Sequence, residues 1–189
     1  MKHAASRELY AYWEERRGKR PAPERADIEP GAIRQALSDT FILELAEAAN
    51  GHTFRLAGTR VCALFGRELK GESFADLWAL ASRGPIADLL AIAADESVGT
   101  VAGVTGQSTS GDPIELELLL LPLGIRRPRL ARTIGVLAPL KAPHWLGAAA
   151  LGALTLGSRR HVGETPKARL LPRFMAPRRG LVVYQGGRT

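Results

Sequence analysis

The chain has a single cysteine, Cys62, in 189 residues. That excludes an intramolecular disulfide framework and fits a reducing, cytoplasmic setting. Its four histidines, His3, His52, His144 and His161, include no pair with the spacing of a zinc site. Long apolar runs are missing too. The longest weakly polar stretch, Trp145 to Gly157, is too short to span a bilayer. The N-terminus, MKHAASRELYAYWEERRGKR, is charged where a signal peptide would be apolar, so export is not expected. No nucleophile–base pair, metal cluster or phosphate loop stands out. Hydrolysis or group transfer normally needs one of these, so the sequence argues against an enzyme.

Most of the chain also has no excess charge. Residues 1–150 carry 18 Lys and Arg against 18 Asp and Glu, whereas residues 151–189 carry eight basic residues and Glu164 alone. The formal net charge of +7 therefore belongs to the C-terminal segment. A nucleic-acid footprint over the neutral part is not supported. The segment itself, with Arg159-Arg160 and Arg178-Arg179, could touch nucleic acid or an anionic membrane. Phe174 and Tyr184 provide little aromatic interleaving there, and Pro166, Pro172 and Pro177 suggest a mobile tail with at most one short helix or strand.

What is present is a pattern of short elements. Residues 5–17 read as an amphipathic helix with Leu9, Tyr10 and Trp13 on one face, ended by Gly18. A short helix is expected from Pro30 to Leu37. Phe41–Leu45 and His52–Leu56 read as two strands joined across Asn50-Gly51. Residues 59–65 form a helical turn between Gly58 and Gly66, and Ser73 caps a further turn where Phe74, Leu77 and Trp78 share a face. Another helix starts at Pro85 and runs to Ile92. From Gly99 the texture becomes strand-like. Thr100–Gly106, Ile114–Leu121 and Ala131–Leu137 are three strands, with a turn at Ser110-Gly111-Asp112 and a basic loop at Arg126–Arg129. Strands flanking a helical block indicate an α+β fold with an antiparallel sheet.

This order resembles a PAS domain. It looks most like a PAS-type family of small alphaproteobacterial proteins formerly described as a domain of unknown function. The residues carrying the resemblance span about 8–147. They are Trp13, Asp27-Ile28-Glu29-Pro30, Phe41-Ile42-Leu43, Arg55-Leu56-Ala57-Gly58-Thr59, Phe65-Gly66-Arg67-Glu68-Leu69-Lys70-Gly71, Leu77-Trp78, Leu120-Leu121-Pro122-Leu123 and Gly135. Lys70 stands where a small hydroxyl residue is commoner. The resemblance implies a five-stranded antiparallel sheet with helices packed on one face, a space between them, and a sensory or partner-holding role.

The domain division expected is residues 1–26 as N-terminal helix and linker, 27–147 as the PAS-like domain, and 148–189 as a basic tail. Phe54, Leu56, Leu64, Phe65, Trp78, Leu89, Leu118 and Leu120 are the candidates for the sheet–helix space, which would take a small apolar or aromatic ligand or be simply core. Arg60 and Cys62 join them at its mouth. Arg60 would meet an anionic ligand or pair with an acid such as Glu68. Cys62 lies in Val61-Cys62-Ala63-Leu64, without the asparagine or arginine of the Asn-Cys-Arg-Phe-type motif of flavin photosensors, so a packed structural thiol is expected and photochemical flavin is disfavoured. Haem is disfavoured because no histidine falls in the central helical block. Leu9, Tyr10 and Trp13 are candidates for a homodimer interface, or for packing back on their own sheet. The functional expectation is a non-enzymatic sensory or interaction module acting through a signalling partner. The alternatives are a ligand-free scaffold and a surface binder acting through the tail.

Overall fold

The computed structural model describes residues 1–46, 51–124 and 132–163. Three parts of the reading above lie outside them: the turn residue Asn50, the basic loop Arg126–Arg129, and the tail from residue 164 with Arg178-Arg179. The described elements are helix α1 (Ala4–Arg17), strands β1 (Thr40–Ala46) and β2 (Gly51–Ala57), helices α2 (Thr59–Phe65) and α3 (Leu80–Glu96), and strands β3 (Gly99–Gln107), β4 (Pro113–Leu123), β5 (Arg132–Pro139) and β6 (Thr155–Val162). Short 3₁₀ turns at Arg25–Asp27, Pro30–Ile33, Leu37–Asp39 and Phe74–Leu77 fill the connections. The single helix expected from Pro30 to Leu37 is thus two separate turns.

The strands form one antiparallel sheet in the order β2-β1-β5-β4-β3-β6. Five of them were expected. The sixth, β6, pairs with β3 from Gly99↔Val162 to Thr105↔Thr155, with a bulge between Ala102 and Val104. Its sequence, TLGSRRHV, shows no apolar alternation because it is an edge strand exposed over most of its length. Arg159 and Arg160, read above as part of a mobile tail, project from this edge, where charge discourages further strand pairing.

Both faces of the sheet are covered, which explains the unbroken apolar run in β4. Leu116, Leu118 and Leu120 enter one core, while Leu119, Leu121 and Leu123 enter the other. The inner core lies under α2, the Phe74–Leu77 turn and α3. The outer core lies under α1, whose Ala5, Leu9 and Trp13 recur at four-residue spacing on one stripe. The Trp13 indole donates to the Pro122 carbonyl at 2.8 Å. Tyr12, rather than Tyr10, completes the stripe, and its hydroxyl donates to the Asp27 carbonyl and accepts the Glu29 N–H. At the start of α1, the buried Glu117 carboxylate accepts the N–H groups of Lys2 at 2.6 Å and His3 at 3.0 Å. An anion there complements the helix dipole.

Helix α3 begins at Leu80, not at Pro85, which lies inside it. Pro85 falls just beyond the first turn, where its missing N–H removes a single helical bond.

Candidate functional site

The space between sheet and helices is the site the sequence points to. On the sheet side it is bounded by Phe41, Leu43, Phe54, Leu118, Leu120 and Leu137, and on the helix side by Leu64, Phe65, Phe74, Trp78, Ile86 and Leu89. Four aromatic rings occupy its centre. Phe74 is the hub: its ring centroid lies 5.5 Å from both Phe41 and Phe54 and 5.7 Å from Trp78. Phe41 and Phe54 meet edge to face at 5.7 Å. Such contacts stabilise beyond the area they bury.

Gly135 makes room for this cluster. A Cβ there would lie 2.4 Å from Phe41 Cζ and 2.5 Å from the Leu119 carbonyl oxygen. The sheet is bare of side chain at that point, and the Phe41 ring fills the gap. Gly58 acts by close approach as well. Its φ is an ordinary −68°, and a Cβ would meet the Leu37 and Ser38 carbonyl oxygens at 2.3 and 2.5 Å. The glycine therefore lets α2 start against the 37–38 backbone, rather than supplying a sharp turn.

Residues 143–154 close one end of the space. Trp145, Leu151 and Leu154 belong to the inner core. The backbone N–H of Leu151 donates to the Leu64 carbonyl at 2.7 Å, and that of Leu154 to the Leu77 carbonyl at 2.8 Å. This strap then continues into β6. Residues 148–163, assigned above to the tail, are thus built into the fold.

Seven of the expected pocket residues come together here: Phe54, Leu64, Phe65, Trp78, Leu89, Leu118 and Leu120. Leu56 does not. In the β1–β2 pairing Phe54 faces Leu43 and Leu56 faces Ile42, so Arg55 is an extra residue. This bulge shifts the alternation by one and turns Leu56 to the outer face, where it is 44% exposed. Arg60 lies outside as well, bonded to Asp39 at 2.5 Å and not to Glu68. Burial pushes the Asp39 carboxyl up, against the pull of Arg60. Cys62 packs half-buried at the margin of the inner core, its Sγ 3.6 Å from Glu68 Oε1. Burial, aided by the Glu68 charge, pushes its thiol pKa up, the opposite of a reactive thiolate.

For Leu9 and Trp13 the second of the two readings given above, packing back on their own sheet, holds. Leu9 and Trp13 are buried within their own chain, and Tyr10, half-buried, stacks on Trp13 at 6.4 Å. Sequence reasoning missed Phe41 and Phe74 as central residues, and missed the strap entirely. The two phenylalanines carry a signal, an aromatic on each of two elements already assigned, but their meeting depends on Gly135.

Among the described residues, no group of three or more His, Cys, Asp or Glu side chains could hold a metal ion. No helix among them is long and apolar enough to cross a membrane. Among the described residues Trp78 Nε1 is buried without a hydrogen-bond partner, an orphan donor that costs about 1–3 kcal/mol.

No curated protein matches the chain. Among solved structures, an RNA-binding light-oxygen-voltage receptor is similar at 18% identity with a TM-score of 0.44, over 62% of this chain and 35% of that one. The chain thus covers about a third of that receptor's length. Residues 1–138 match a family profile described as PAS domain. With that match covering most of its length, and with an antiparallel six-stranded sheet flanked by helices, the chain belongs to the PAS domain family.

Proposed function

We propose that this PAS domain is a non-enzymatic interaction module that holds signalling proteins together without a resident small molecule between sheet and helices. One observation carries this reading: the interlayer is filled by the Phe41, Phe54, Phe74 and Trp78 rings and closed by the 143–154 strap. A closely packed interior leaves little room for a guest. Cys62, with its raised pKa, has no chemical role in this reading. Native mass spectrometry of freshly purified protein tests it. The expected result is the mass of the bare chain, with no stabilisation by a metabolite library. A retained small molecule would replace this reading.

A second reading, a sensor for a small apolar or aromatic ligand, has one observation in its favour. The unpartnered Trp78 indole N–H would gain a hydrogen bond from any acceptor brought into the interlayer. This sensor predicts a retained molecule that is lost in Trp78→Phe, whereas the filled module predicts that each protein shows only its own bare-chain mass.

A further inference from the structure

The outer face of the sheet carries a second feature, away from α1. A cavity of about 420 Å³ opens beside the β1–β2 bulge, lined by Arg25, Ile42, Arg55, Leu56, Lys70 and Arg132. Four of the six are cations, and no acid lines it among the described residues. Glu44 lies alongside and is shared by Arg55 at 3.6 Å and Arg132 at 3.7 Å, both longer than a hydrogen bond. Arg25 donates to the Ile28 carbonyl. The Nε–H of Arg132 is buried with no partner among the described residues.

Like charges gathered with a single shared carboxylate repel one another, and an anion relieves that repulsion. The apolar part of the wall is Ile42 and Leu56, and Leu56 is one of two large apolar side chains exposed among the described residues. The Arg55 bulge creates this combination, since it turns Leu56 outward beside the basic residues. Lys70, where the sequence departs from the pattern it resembles, adds a charge at the same place.

We propose that this corner binds a small soluble organic anion. Arg55, Lys70 and Arg132 would hold its phosphate or carboxylate, and its apolar group would lie on Ile42 and Leu56. The site is on the face opposite the packed interlayer, so it stands or falls independently of the reading above.

Phenyl phosphate, titrated by calorimetry at low salt, is the probe. Saturable one-to-one binding is expected, weakening as salt rises. Lys70→Thr with Arg55→Gln should weaken it about tenfold, since each exposed cation contributes a few-fold. Leu56→Ser should weaken phenyl phosphate about threefold and leave inorganic phosphate unchanged. Lys141→Gln removes a charge elsewhere and should change neither. All four positions are exposed, and an unchanged melting temperature confirms that each variant folds. No saturable binding would overturn the proposal, as would equal affinity in the double variant or an equal loss in Lys141→Gln. Vesicles of phosphatidylcholine with phosphatidic acid separate the two sources of such a group. Co-sedimentation lost in the double variant, with no binding of free phenyl phosphate, would assign the corner to a lipid headgroup and overturn the soluble ligand.

Discussion

The two faces of this sheet are covered by different physics. The inner face is covered by α2, the Phe74–Leu77 turn, α3 and the 143–154 strap, and Phe74 and Trp78 interlock with Phe41 and Phe54 of the sheet. The outer face is covered by α1, held by a leucine–tryptophan stripe and anchored at its start by a buried carboxylate, together with Ile28, Ile33 and Ala36 of the segment that follows. In the inner layer stability is mainly a packing property. In the outer layer part of it is electrostatic, and the corner beyond α1 stays open and basic. The sheet in this chain therefore separates a packed apolar layer from a face with an open, basic corner.

Substitution separates the two layers. Phe74→Ala removes the hub of the inner cluster and should lower stability by about 3–5 kcal/mol in chemical denaturation. A loss below 1 kcal/mol would mean the interlayer is loosely filled. Glu117→Gln tests the outer layer. Burial raises the carboxyl pKa, but the Lys2 N–H, the Ser6 side chain, the His3 N–H and the N-terminal charge together outweigh it and hold the folded-state value below the ordinary glutamate range. A folded pKa below the unfolded one gives stability that is present above the unfolded value and lost as pH falls through the folded one. The variant should therefore lose about 2 kcal/mol at neutral pH and show a flatter acid limb than the parent. Parallel acid limbs would remove Glu117 from the account. Leu56→Ser, two residues from the buried Phe54 but on the opposite face, should change stability by less than about 0.5 kcal/mol. A core-sized loss would contradict the bulge at Arg55.

The strand order, the helical block and the family were legible because periodicity and turn chemistry are local. The helical turn after Gly58 was legible as well, although Gly58 serves a backbone crossing with residues 37–38 that only the folded chain brings close. Leu56 was misplaced because a one-residue bulge leaves no trace in an alternating pattern. Leu9 and Trp13 read equally as interface or core, since an apolar stripe does not name what covers it. The strap and β6 were hidden for a different reason. Their residues make few local contacts, and each is placed by distant partners such as Leu64, Leu77 and Gly99.

The central claim is that the inner compartment is occupied by the protein's own side chains. Nuclear magnetic resonance of the labelled protein, titrated with benzene, tests it most directly. The parent should show no saturable shifts at Phe54, Leu64, Leu118 or Gly135, while Phe74→Ala should show them, because a dry apolar cavity of aromatic size takes up benzene. Saturable binding of benzene by the parent at those residues would contradict the account.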